Sequence, residues 1–284
     1  LSRNQDRLLG ESKPEDTSPP PQVMNQGSGG DMFSFVVPTE FVELPSEGRF
    51  YPESHPLHNQ DVIEIKQMTA KEEDILTSQT LLKQGVALDR LLQSLIVDKR
   101  ISASSLLSGD RTAIIIAARR SGYGSVYESQ MNCPSCGAKQ EFSFNLDDST
   151  LNQCTLPEGV KDEGGGIFSL TLPRTKVNVK LRLLTGQEEM EMLNDSNKRK
   201  KRKKAENNIT SQLKKIVYSV NGVSDARAIN YFSENVPSSE TKHIRDVYKA
   251  INPATEMKDL FECQSCGFSK ELEVPLNAEF FWPN

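Results

Sequence analysis

Four cysteines in two Cys-x-x-Cys-Gly turns, Cys133-Pro-Ser-Cys136-Gly and Cys263-Gln-Ser-Cys266-Gly, are the residues of this chain best suited to chemistry. Four thiolates complete a tetrahedral shell around one Zn²⁺. With every position taken by sulfur, no place is left for water or substrate. An ion held by Cys133, Cys136, Cys263 and Cys266 would therefore be structural. Redox-active Cys-x-x-Cys pairs sit at a helix start within a βαβ pattern. Here Gly137 and Gly267 follow the second cysteines, and alternating apolar residues come next. A remaining alternative is that the two pairs never meet, because 126 residues lie between Cys136 and Cys263.

The elements that must position these thiols repeat. Aligning Cys133 with Cys263 sets Phe142, Phe144 and Leu146 opposite Leu272, Val274 and Leu276, and Glu141 opposite Glu271. Each half reads as a knuckle turn followed by a half-buried strand, which is the layout of a zinc ribbon. A shared ion would close a very long loop and pin its two ends together.

No other residue type is arranged for chemistry. His55 and His58 are separated by Pro56, which breaks the helix that would align their rings. His243 falls on a predicted surface helix. There is no phosphate-binding loop, dinucleotide fingerprint or nucleophile elbow. Ser211 and Lys214 match Ser-x-x-Lys but lack the companion motifs. An enzyme reading has nothing to attach to.

The 284 residues suffice for two modest domains, or one with tails. A hydrophobic content of 36% and a mean hydropathy of −0.52 fit a soluble protein. No apolar stretch approaches the roughly 20 residues of a membrane span, and the start does not read as a signal peptide. The cysteine usage suits a reducing compartment, with Cys154 as a lone thiol. The sequence begins at Leu1, and Met32 is a candidate start. The net charge of −5 includes a run of +7, Lys198-Arg199-Lys200-Lys201-Arg202-Lys203-Lys204, which leaves −12 elsewhere. Such a run can contact polyanions, but no aromatic residues are interleaved with it for base stacking.

Residues 1–31, rich in Pro, Ser, Gly, Asn and Gln, are expected to form a disordered arm. Residues 32–130 read as a mostly helical domain. Its helices open at Thr69 with Glu72 in a capping box and run through about Leu82, then from about Val86 to about Val97, then from Ser108 to about Gly124. Residues 131–284 read as a split zinc ribbon with an insertion over 150–255. The insertion holds a hairpin over Phe168–Leu183 and helices near 209–220, 225–233 and 238–251. The fold class is therefore α+β. At the end, Phe280, Phe281 and Trp282 either pack on the protein's own ribbon or anchor a neighbouring subunit.

Taken together, residues 32–284 resemble the baseplate hub and hub-assembly proteins of T4-type contractile-tailed bacteriophages. The likeness rests on Phe35-Val36-Val37-Pro38, Leu44-Pro45-Ser46-Glu47-Gly48-Arg49-Phe50-Tyr51-Pro52, the Met68–Asp74 helix start, Asp110-Arg111, both knuckles, Leu183-Leu184-Thr185-Gly186 and Phe280-Phe281-Trp282-Pro283. The resemblance implies a non-enzymatic virion or assembly protein. It would act in the host cytoplasm and the tail baseplate through contacts with other baseplate, hub and tail proteins, in symmetric multiple copies. The zinc is argued from the cysteines and is not inherited from the family. The contrasting expectation is a zinc-ribbon nucleic-acid-binding protein of the phage transcription-factor type, using residues 198–204.

Overall fold

A buried carboxylate organises the first part of the described chain. The first strand, β1 (Thr39–Glu43), pairs antiparallel with β2 (Val62–Lys66), and the turn-rich Leu44–Pro52 stretch leads away from it. Asp110 fixes that stretch. Its Oδ1 accepts the Ser46 N–H at 3.0 Å, and its Oδ2 accepts the hydroxyls of Ser46 at 2.6 Å and Tyr51 at 2.7 Å. The Tyr51 oxygen in turn accepts the Leu107 N–H at 2.9 Å. Burial raises the Asp110 carboxyl above the ordinary carboxylate range, against the pull of these donors. Gly48 has φ 68°, and a Cβ there would lie 2.3 Å from the Leu57 carbonyl oxygen, so the turn requires glycine. The computed structural model describes residues 37–189, 191–192, 208–274 and 278–281. The 1–31 arm, the basic run 198–204 and Trp282 lie outside the described residues.

The Thr69–Glu72 capping box opens α1 (Ala70–Thr77) as expected. The helix does not continue to Leu82. Ser78 is extended, and α2 (Gln79–Gln84) follows as a separate piece ended by Gly85 at φ 72°. Next, α3 (Ala87–Leu95) buries Leu91, Leu92 and Leu95. Central to the fold is α4 (Ser108–Tyr123), in which Ile114 to Ala118 are all buried. After it come β3 (Val126–Asn132), β4 (Lys139–Asn145) and the short β5 (Thr150–Asn152).

The insertion is built around an antiparallel sheet of order β6-β7-β8-β9. It contains β6 (Lys161–Gly164), β7 (Ile167–Thr171), β8 (Asn178–Arg182), α5 (Asn208–Ile216), β9 (Val217–Val220), α6 (Ala226–Asn235) and α7 (Ser238–Ile251). The helix expected over 209–220 stops at Ile216. Val217 to Val220 instead pair with β8, burying Val217 and Ser219 on one face. Alternation at period two decides this segment, and Asn221-Gly222 turns the chain at φ 48° and 80°. Beyond α7 lie β10 (Ala254–Glu256), β11 (Lys258–Glu262) and β12 (Ser269–Glu273). Pairing of β10 with β5, from Ala254↔Asn152 to Glu256↔Thr150, closes the neck of the insertion.

The result is an α+β fold whose one large apolar cluster runs from Val42 to Phe281. Elements on both sides of residue 130 contribute to it. The Leu106–Ser108 and Leu184–Gly186 segments join them directly: Ser108 N–H donates to Leu184 O at 3.2 Å and Gly186 N–H to Leu106 O at 2.9 Å.

Candidate metal centre

Two antiparallel hairpins carry the cysteines. The β3–β4 ladder ends at Asn132↔Lys139, and the β11–β12 ladder ends at Glu262↔Ser269. Six residues cross each tip, from Cys133 to Ala138 and from Cys263 to Phe268. Their backbone bonding is the same. Cys133 N–H donates to Ala138 O and Cys263 N–H to Phe268 O, both at 2.8 Å. Gly137 and Gly267 donate to Cys133 O and Cys263 O, both at 2.9 Å, with φ 73° and 69°. Both turns need the left-handed region, which explains a glycine after each second cysteine.

The turns meet. Cys133 Sγ lies 3.7 Å from Cys266 Sγ, and Cys136 Sγ lies 3.7 Å from Cys263 Sγ. All four sulfurs fall within 4.8 Å of one another. The two pairs therefore share one site. Cys133 and Cys263 are buried, whereas Cys136 and Cys266 face outward. Phe261 packs with the buried cysteines, flanked by Met131, Phe142, Phe268 and Leu272. Gln140 latches the turns: its Nε2 donates to Glu262 O at 2.8 Å, and its Oε1 accepts the Gln264 N–H at 3.1 Å.

The thiols influence one another strongly. Burial would push Cys263 up, but the backbone N–H groups of Cys266 and Ser265, with the neighbouring thiols, bring it down to about 6. Cys266 accepts the Phe268 N–H, yet reduced hydration beside the other sulfurs and contact with them carry it up to about 12. One thiolate forms readily and opposes a second. A bound dication removes that conflict, because a coordinated thiol is deprotonated outright. Four soft donors with backbone N–H support and an apolar floor thus fit a closed metal site.

The other residues singled out by sequence are spent on structure. His55 stacks on Tyr51 with centroids 4.4 Å apart and bonds Ser105 Oγ at 2.9 Å. His58 Nδ1 lies 2.8 Å from Tyr51 O, so the two rings serve separate turns. Cys154 is half-buried, and burial pushes its thiol up. Phe280 and Phe281 are fully buried. Phe280 packs edge-on to Tyr127 at 4.9 Å, and its carbonyl accepts Arg119 Nε–H at 2.9 Å. Both rings pack within their own chain.

The sequence did not single out β3, β11, Phe261 or Gln140. Tyr127, Ser129 and Met131 make the inner face of β3, and Ser129 interrupts its apolar pattern. In β11 the pattern is inverted, since Leu260 is exposed and Phe261 buried. The mirror relation between the knuckles was the usable signal, because a strand after each turn needs a partner before it.

A family model described as T4 bacteriophage base plate protein matches residues 37–282. No curated protein and no solved structure matches the chain.

Proposed function

The chain belongs to the T4 bacteriophage base plate protein family, and from that premise we propose that it is a non-enzymatic structural or assembly protein of the baseplate hub. It acts in the host cell during tail assembly and within the tail, through contacts with other baseplate and tail proteins. One Zn²⁺, held by Cys133, Cys136, Cys263 and Cys266, stiffens the paired hairpins. The family match across almost all of the described chain carries this reading. The convergence of four cysteines from two distant knuckles supports the metal.

A non-enzymatic role is supported by how buried charge is used. Asp110 holds the Leu44–Pro52 turn. Glu72 bonds Lys66, Ser94 and the Thr69 cap, and Glu240 accepts the N–H groups of Arg174 and Thr175. Each carboxylate fastens one element to another. Disrupting the gene should give host lysates without complete tails by electron microscopy. Peptides of the protein should be found by mass spectrometry in purified tails or their assembly intermediates. Normal, infective tails from the disrupted phage would sink the proposal.

A further inference from the structure

Strand β1 has one edge left unpaired among the described residues. Backbone bonds from Gln67 N–H to Pro38 O and from Leu44 N–H to Asp61 O bracket its ladder with β2. By alternation, Glu40 and Val42 turn their peptide groups toward β2, whereas Thr39, Phe41 and Glu43 turn theirs away. Those outward groups meet no partner among the described residues. Strand β5 likewise ends its own two-stranded sheet, with β10 on its other side.

Both small sheets pack on α4, and a groove of about 310 Å³ lies between them. Ala113, Ile116 and Ala117 line it from the helix. Phe41, 70% exposed, and Leu151, 40% exposed, line it from the two strands. Large apolar side chains left in water beside an unpaired strand edge describe a surface for strand addition.

We propose that this groove receives a free extended segment of another protein, rich in alternating apolar and Lys or Arg residues, as an added strand between β1 and β5. The charge of the lining sets the partner's chemistry. Glu43 and Asp147 line the groove, and Arg120, the one cation lining it among the described residues, already lies 3.6 Å from Asp147. A second copy joining through its own β1 does not fit, because that strand arrives with β2 attached and β5 walls the far side. The binding itself is read from the groove. Only the source of the segment, a tail protein, rests on the proposed function.

The test uses the full chain and an N-acetylated, C-amidated peptide, Lys-Val-Thr-Val-Lys-Val. Saturable binding with a Kd of about 1 mM or tighter is expected, with NMR shifts at Thr39, Phe41, Glu43 and Leu151. Methylating alternate peptide nitrogens should weaken it at least about tenfold. Phe41→Pro should do the same with an unchanged melting midpoint, since position 41 gives no bond to β2. If that variant fails to fold, Glu43→Lys serves instead, and should reverse the preference between this peptide and one with Glu replacing Lys. No saturation, or binding indifferent to methylation and to both variants, overturns the proposal. A photo-crosslinker replacing Phe41 in infected cells should capture an extended segment of a tail protein. Capture of another copy of this chain overturns the proposed occupant. Capture of a segment from a protein outside the tail leaves the groove standing and sinks the baseplate reading.

Discussion

Glu72 shows how one residue can hold three parts of the chain and expose the fold to acid. Its carboxylate is fully buried and takes bonds from Lys66 at 2.7 Å, Ser94 at 2.5 Å and the Thr69 N–H at 3.0 Å. Burial alone would raise its pKa, but these donors outweigh burial and hold it at about 2. A carboxyl depressed in the folded state stabilises above its unfolded pKa, and the gain is lost as pH falls through the folded value. The window here runs from about 4.5 down to about 2. Asp110 and Glu189, both raised mainly by burial, act with the opposite sign and favour folding as they protonate. Acid titration of wild type should therefore show a steep loss of stability only below about pH 4.5, of up to about 3 kcal/mol from Glu72. Glu72→Gln should flatten that limb in urea melts. A limb unchanged by the substitution would assign it elsewhere. Gly109 is constrained by space instead. A Cβ there would lie 2.1 Å from the Pro253 carbonyl oxygen, and backbone cannot step aside as a side chain can. Gly109→Ala should cost about 1–3 kcal/mol by overpacking, read as a lower denaturation midpoint. Gly122→Ala is the control, because its contact is the terminal methyl of Met68, a movable group.

At the scale of elements, the ribbon tip stands apart from the main core. Cys133, Phe261 and Cys263 form their own small cluster, joined to the large one through Met131 and Phe142. The β5–β10 neck and the Leu106–Gly186 bonds hold the insertion without the cysteines. Removing metal with a chelator, or replacing Cys263 by Ser, should therefore free the tips of β3–β4 and β11–β12 and leave the body folded. Hydrogen exchange is the measurement: protection should fall over 129–142 and 259–272 and persist in α4 and α7. Global unfolding on chelation would show that the ion holds far more than its own hairpins. The same elements show what sequence could reveal. Capping at Thr69, the glycine stop at Gly85 and the limits of α4 and α7 were legible, because each is set within a few residues. The α1–α2 break at Ser78, β9, and the strands before each knuckle were not. Strand β9 takes its conformation from β8, far away in sequence, while β3 and β11 are held by the opposite arm of their own hairpins against a weak apolar pattern of their own. The four cysteines were legible as a set, but their meeting depended on the neck that brings residues 150–152 and 254–256 together.

For the molecule as a whole, the decisive contact is between α4 and the end of the chain. Arg119, buried in α4, has no carboxylate partner among the described residues. It donates instead to the carbonyls of Phe280 at 2.9 Å, Gly124 at 3.0 Å and Val126 at 3.2 Å, and lies over the Tyr123 ring. Those acceptors belong to the end of α4, the start of the ribbon and the last described segment. The motifs that suggested a family thus do shared mechanical work: Asp110 fixes the Leu44–Pro52 turn, Arg111 lies under Gly186, and Phe280 closes over Tyr127. A Cβ at Gly186 would meet the Arg111 side chain at 2.2 Å, so the inserted module seats directly on α4. With one core and such cross-ties, the helical part and the ribbon body should unfold together. Phe280→Ala removes a fully buried ring and loosens the Arg119 anchor, and should cost about 3–5 kcal/mol. Far-UV and near-UV circular dichroism followed through the same urea titration should keep coincident midpoints in wild type, both shifting down in the variant. Separate midpoints would mean that residues 37–130 fold without the chain's end, and that the shared core contributes contact but not cooperativity.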